Sequence, residues 1–167
     1  MRALQKDLLA LPENDKSIIF SFWTTTLDLV ETGLNELQFP YTRFDGTLAA
    51  KLRQQSVESF IEDPRIRVIL ISLRCGANGL NLTAANHVFL MEPQWNPMLE
   101  DQALDRVYRI GQKKDVTTVR YIVQNTLEES IRHQQSKKRN LAEEAFTLAR
   151  RYNDWVELVR DMLSRAP

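Results

Sequence analysis

Short apolar segments alternate along the chain with longer segments in which apolar residues recur every three or four positions. Most of the short segments are rich in Ile, Val and Phe, which is typical of strands buried on both faces of a sheet. They are Lys16–Phe22, Tyr41–Phe44, Arg67–Ser72, His87–Glu92 and Thr117–Val123. Because segments of helical length separate them, the pattern predicts an α/β fold with a mostly parallel sheet and helices on both faces.

The longer segments predict helices with one apolar side. These helices are Arg2–Leu11, Thr24–Leu37, one carrying Leu48, Leu52, Val57 and Phe60 on one side, one within Asp101–Gln112, one from Thr126 toward Ala149, and a last one around Trp155. Thr126 and Glu129 have the spacing of a capping box, which predicts the start of the fifth helix. In a parallel sheet of this kind, functional residues gather in the loops at the carboxyl ends of the strands.

Composition narrows the possible functions. The 167 residues include 22 Lys+Arg and 22 Asp+Glu, so no global basic field draws the chain to nucleic acid, and any DNA contact must come from a local groove. One cysteine and two histidines cannot build a disulfide framework or a closed zinc site, which fits a reducing compartment. No apolar run approaches the length of a membrane span, and the N-terminus is too charged for a secretory signal.

The segment DQALDRVYRIGQ places Arg106 and Arg109 three residues apart on a predicted helix that ends at Gly111. The guanidinium fork matches phosphate oxygens, and this spacing lets two such groups converge on one ligand. An arginine that reaches a transferring γ-phosphate can act as a catalytic finger, which makes this one interpretation of the pair. The alternative is a solvated helix face, on which Asp105 pairs with Arg109 one turn away.

Three other loops carry candidate residues. In EPQWNP, Trp95 is either a core plug, which we favour, or a contact surface. Gly76 and Gly79 permit positive φ and a close approach of the backbone to a phosphate, but no phosphate-binding G-x-x-x-x-G-K-[ST] loop occurs in the sequence. In FDGT, the Thr47 hydroxyl and backbone N–H groups could bind a nucleic-acid phosphate, although an ordinary turn before a helix, with Asp45 or Thr47 as the helix cap, is favoured.

Neither Cys75 nor His87 is expected to be catalytic. Cys75 has no histidine near it in sequence, and His87 opens an apolar strand, where a structural histidine with a satisfied hydrogen bond is expected.

Four segments between Lys16 and Phe146 together resemble the second RecA-like lobe of Swi/Snf-type DNA-dependent ATPases, in helicase superfamily two. In order, they are KSIIFSFWTTTLDLVETGL, RFDGTLAAKLRQQSVESF, VILISLRCGANGLNLTAANHVFLMEPQWNP and DQALDRVYRIGQ. The combination of WNP with Q-x-x-x-R-x-x-R-I-G-Q separates this family from the RNA helicases of the same superfamily. The chain departs from the family pattern at Ala77, Glu92 and Tyr108, where Gly, Asp and His are usual.

The resemblance implies a role for each matching residue. Arg106 and Arg109 would be arginine fingers, with Gln102 beside them at the ATP cleft. The loop that couples nucleotide to DNA would be shaped by Gly76, Gly79 and Asn81. Contacts to the duplex backbone would come from Arg43, Gly46, Thr47, Ser72 and Arg74.

The resemblance also implies the setting of these residues. ATP and Mg would be held mainly by a first RecA-like lobe, the partner of this one, and double-stranded DNA or nucleosomes would be the substrate of a monomeric nuclear motor. The domains would be a lead-in helix (1–15), the RecA-like lobe (16–146) and an amphipathic helix packed on or near it (147–167). The alternative is an inert RecA-like scaffold that binds DNA or a protein without ATP turnover.

Overall fold

A computed structural model describes residues 1–76, 79–141, 144, 145 and 147. The centre of the fold is a five-stranded sheet in which every strand pair is parallel. The strands are β1 (Ser17–Ser21), β2 (Tyr41–Phe44), β3 (Val68–Ser72), β4 (His87–Leu90) and β5 (Thr117–Arg120), in the spatial order β2-β3-β1-β4-β5. The predicted α/β class with a parallel sheet is confirmed.

Helices alternate with the strands along the chain. They are α1 (Arg2–Leu9), α2 (Thr24–Glu36), α3 (Ala50–Glu62), α4 (Leu73–Gly76), α5 (Pro97–Leu104) and α6 (residues 127–141). Among the described residues, no helix has the length and apolar character needed to cross a membrane.

Alternate residues of the central strand β1 face opposite sides of the sheet, as strand geometry requires. Ile18 packs in a core cluster with Phe60 of α3 and Ala103 of α5. Ile19 packs in a second cluster with residues of α1 and α2, among them Leu8 and Leu27. The prediction of helices on both faces is therefore confirmed.

Several predicted boundaries are wrong. The helix expected within Asp101–Gln112 begins earlier, at Pro97, and ends at Leu104, and the loop expected after β3 starts with the single turn α4. Leu52 does not face the core but is half exposed. The fully buried residue of α3 is Phe60. The expected final helix around Trp155 lies outside the described residues.

The start of α6 also differs in detail from the predicted capping box. The Thr126 hydroxyl oxygen accepts a bond from the backbone N–H of Glu128, as a cap should. However, the carboxylate that reaches back belongs to Glu128, not Glu129, and it accepts from the backbone N–H of Val123 at 2.7 Å.

Candidate functional site

The loops after β1 and β4 meet at the carboxyl edge of the sheet. From β1 the chain continues into α2 on one face, and from β4 it continues into α5 on the other, so these adjacent strands form a topological switch point. The Ser21 hydroxyl at the end of β1 donates to the Glu92 carboxylate at 3.0 Å and thereby joins the two loops. A cavity of about 330 Å³ lies here, lined by Phe22, Trp23, Glu92, Pro93, Gln94, Trp95, Asn96, Leu99 and Ile131.

Trp95 is not the core plug that we favoured, since 60% of it is exposed. Its neighbours occupy the interior in its place: Gln94 and Pro97 are both buried. The side chain of Asn96 caps α5 by accepting from the backbone N–H of Met98 at 3.2 Å. Because these anchors fix the loop on both sides, Trp95 projects outward beside the exposed Trp23.

The Glu92 carboxylate is largely buried between these loops. Burial raises its pKa to about 6, and the hydrogen bonds from the Phe22 backbone and the Ser21 hydroxyl offset the effect only in part. The negative charge of Glu128 raises the pKa of Glu92 further. Burial thus moves the pKa of the Glu92 carboxyl group above the ordinary range of a glutamate, toward pH 6.

Arg106 and Arg109 lie in the turns that follow α5 rather than on a helix. Arg109 is exposed, as is Gln102 on α5, whereas Arg106 is half-buried. Asp105 and Arg109, both described, form no ion pair with each other, so the alternative of a paired helix face is not realised.

The turn that carries Arg106 and Arg109, the arginine-bearing turn, is hydrogen-bonded to the segment that follows the glycine loop, which contains Gly76 and Gly79. The Leu82 backbone N–H donates to the Arg106 carbonyl at 3.1 Å. From the other end of the turn, the Gln112 side-chain amide donates to the Ala85 carbonyl at 2.7 Å and to the Thr83 carbonyl at 3.2 Å. Two segments that were singled out separately in the sequence thus form one unit, and Gln112 is a residue that the sequence analysis missed.

The glycine loop itself is described in part, with Gly76 at the end of α4 and residues 77 and 78 outside the described ranges. Gly79 has φ +63°, the positive value expected of it. The exposed Asn81 turns its amide oxygen toward Thr83, whose hydroxyl donates to it at 3.0 Å.

Arg43 is the centre of an acidic network. Its guanidinium donates to Asp45 and Asp28 at 2.6 Å and to Glu31 at 2.8 Å. Burial pushes the pKa of Asp45 upward, but hydrogen bonds from Thr47 and Arg43 outweigh burial and leave the pKa below its ordinary value. Asp45 organises the Thr47 turn through these bonds and does not cap α3, whose N-cap is Ala49.

The other residues expected along a nucleic-acid backbone fall into two groups. Gly46, Thr47 and Arg74 are exposed at the carboxyl edge, where Arg74 stacks over the Phe22 ring with its Cζ 4.4 Å from the ring centroid. Ser72 is buried within the sheet, and the half-buried Arg43 is engaged by its acidic network. The structure thus leaves three of the five predicted positions open to a ligand.

Beneath the Trp95 loop lies a buried polar cluster that the sequence analysis also missed. Glu100 of α5 is fully buried and accepts hydrogen bonds from the Gln94 backbone, the Gln135 side chain and Arg120. A signal was present, because Glu100 occupies the same helical side as the buried Pro97 and Ala103. A charged residue on an apolar helix side indicates a buried partner elsewhere in the chain.

His87 is the structural histidine that we expected, since its Nε2 lies 2.9 Å from the Asp15 carboxylate. Within the described ranges, no three His, Cys, Asp or Glu residues come together in a group that could hold a metal ion.

Residues 1–111 match the family described as helicase conserved C-terminal domain. The chain is 47% identical over 133 residues to DNA repair protein RAD5B of Arabidopsis thaliana, a match that covers 80% of this chain and 10% of the relative. It is 46% identical over 126 residues to DNA repair protein rad8 of Schizosaccharomyces pombe, covering 75% of this chain and 11% of rad8. With the human helicase-like transcription factor, it shares 44% identity over 142 residues, covering 84% and 14% of the two chains.

The crystal structure of the C-terminal part of the Fun30 ATPase domain has the same fold, with a TM-score of 0.77 and 34% sequence identity, covering 80% of this chain and 44% of the Fun30 chain. The chain thus spans a small part of the curated relatives that it matches, between 10% and 14% of their length. Its RecA-like fold, its matched family and its relatives agree with one another. The chain belongs to the helicase conserved C-terminal domain family, as a second RecA-like lobe of the Swi/Snf type in helicase superfamily two.

Proposed function

We propose that this lobe supplies Arg106 and Arg109 to the γ-phosphate of an ATP molecule bound, with Mg, mainly by a first RecA-like lobe. The proposal rests on the position of Arg109. Its side chain is exposed, yet it lies on a turn that hydrogen bonds of Gln112 and Leu82 hold in place. A fixed, accessible guanidinium stabilises charge that develops on a phosphoryl group without reorganising during the reaction. Gln102 lies on the helix that leads to this turn and would face the same cleft.

The proposed substrate is double-stranded DNA, free or in nucleosomes, contacted through its phosphates. Gly46, Thr47 and Arg74 are open at the carboxyl edge and would contact the backbone, while Arg43 and Ser72 would support that surface from within. Gly76, Gly79 and Asn81 belong to the loop that would couple the DNA surface to the nucleotide. Contacts of this kind carry little sequence preference.

The relatives are named as DNA repair proteins and helicase-like transcription factors, which supports a nuclear motor for DNA repair or chromatin remodelling. Such a motor would work as a monomer, by opening and closing of its two lobes. This lobe by itself should not hydrolyse ATP, since its sequence contains no phosphate-binding P-loop.

The test is ATP hydrolysis by the full-length protein, with and without double-stranded DNA. Arg109→Ala should lower DNA-stimulated turnover by roughly 10³. Arg65→Ala is the matched control, because Arg65 is an exposed arginine on the loop after α3. Turnover that is indifferent to DNA, or equal in Arg109→Ala and the unmodified protein, would reject the motor and favour the inert scaffold.

A further inference from the structure

Glu100 forms a junction between four segments of the chain. Its Oε1 accepts from the Gln94 backbone N–H at 2.9 Å and from the Gln135 side chain at 2.6 Å. Its Oε2 accepts from Nε of Arg120 on β5 at 3.1 Å. A carboxylate with no exposed surface is stable only when such donors surround it, and removal of one donor leaves part of its charge uncompensated.

Helix α6 contributes to this junction and contacts the segment that contains Glu100, residues 94–101, at two further points. Gln135 is 5% exposed, and its amide also donates to the Gln94 carbonyl at 2.5 Å. Arg139 pairs with Asp101 at 2.7 Å, and Lys138 donates to the Trp95 carbonyl at 3.1 Å. All of these contacts from α6 fall on residues 94–101.

That segment continues directly into the arginine-bearing turn. Backbone bonds connect α5 to the turn, from the Asp105 N–H to the Asp101 carbonyl at 2.9 Å and from the Arg106 N–H to the Ala103 carbonyl at 3.2 Å. These bonds connect α6, through Asp101 and α5, to the turn that carries Arg106 and Arg109.

We propose that α6 is a positioning element for the two arginines and that Gln135 is its principal positioning residue. A force or partner that shifts α6 against the sheet would change ATP turnover without touching nucleotide or DNA. The inference rests on the proposed function of Arg109 and adds that the position of α6 regulates ATP turnover. Misplacement of a catalytic group by about 1 Å can cost roughly 10² in rate, so small shifts of α6 would be sufficient.

The test compares Gln135→Met with Gln134→Met in the full-length protein. Both changes remove an amide from α6 at similar side-chain length, but Gln134 is exposed and Gln135 is buried. We expect Gln135→Met to lower DNA-stimulated kcat by about tenfold or more, with the KM for ATP and the affinity for double-stranded DNA changed by less than about twofold. Gln134→Met should match the unmodified protein. Unchanged kcat in Gln135→Met would overturn the inference.

A double variant separates positioning from general destabilisation. If Gln135 acts through the two arginines, then Gln135→Met should lower turnover by a smaller factor in an Arg109→Ala background than in the unmodified protein. A fall by the same factor in both backgrounds would overturn the inference while leaving the arginine finger intact. If Arg109→Ala by itself keeps full turnover, then the proposed function has failed instead.

A second pair of variants covers the case in which Gln135→Met does not fold. The pair between Arg139 and Asp101 is partly exposed on both sides, so its loss should not unfold the chain. Arg139→Met should then lower kcat, whereas Arg132→Met, at an exposed position of the same helix, should not. Equal turnover in these two variants would overturn the inference.

Discussion

The side-chain amide of Gln112 donates a hydrogen bond to the main-chain carbonyl of Ala85 at 2.7 Å, across 27 residues of sequence. The same amide donates to the Thr83 carbonyl, while its oxygen accepts from the backbone N–H of Lys114 at 2.9 Å. One side chain thus joins the turn that carries Arg109 to the irregular segment that leads into β4. The relationship joins the turn that carries Arg109 to the segment that follows Gly79 and Asn81.

We expect Gln112→Ala to destabilise the lobe by about 1–3 kcal/mol, because the Ala85 and Thr83 carbonyls lose their donor in a half-buried place. Urea unfolding of this chain measures the loss. Gln124→Ala is the matched control, because Gln124 lies in an exposed turn. Equal unfolding free energies in the two variants would show that the hydrogen bonds of Gln112 do not stabilise the lobe.

Glu92 should make the stability of the lobe depend on pH between about 4.5 and 6. Its pKa is raised from an ordinary 4.5 to about 6 by burial, so in this window the folded chain binds more protons than the unfolded chain. The free energy of unfolding should therefore fall as pH rises through the window, by about 1–2 kcal/mol from this group. Glu92→Gln should remove that decrease.

Urea unfolding at pH 4.5 and pH 7 checks the Glu92 prediction. Glu129→Gln, at an exposed position on α6, serves as the control and should keep the pH dependence of the unmodified chain. The prediction fails if Glu92→Gln and the unmodified chain lose the same free energy of unfolding between the two pH values.

Arg43→Ala should destabilise the lobe by about 3 kcal/mol, because it leaves the fully buried carboxylate of Asp45 without its cation. The remaining bonds from Thr47 limit the loss. Arg65→Ala removes an arginine whose partner Asp63 is on the surface, and it should change stability little. Similar midpoints of thermal unfolding for the two variants would show that the acidic network around Arg43 is not a structural centre.

Arg74 is the arginine that we expect to act on a DNA phosphate. In the full-length protein, Arg74→Ala should reduce the salt dependence of duplex binding, lowering the slope of log K against log salt by about 1. Binding should weaken to a similar degree on duplexes of different sequence, because a phosphate contact carries no base information. Arg132→Ala is the control, and an unchanged slope in Arg74→Ala would remove this residue from the interface.

Local sequence pattern determined the scaffold of this protein. Five strands and four of the helices fall close to their predicted places, because burial on both faces of a sheet requires continuous apolar segments and packing on one face requires helical periodicity. β2 matches its predicted bounds and α2 differs by one residue. The residue types of the candidate site, with Arg106 and Arg109 three positions apart, can likewise be read directly from the chain.

Tertiary structure decided the exposure and the bonding partners of the candidate residues. Trp95 is exposed because Gln94 and Pro97 fill the interior on either side of it, a competition that Trp95 alone does not reveal. Arg43 looks like a free cation in the sequence but is paired with carboxylates of α2 and of the turn that follows β2. The side-chain hydrogen bonds of Gln112 and Gln135 join segments that are far apart in the chain. Such contacts depend on where folding brings distant backbone groups, which no local periodicity encodes.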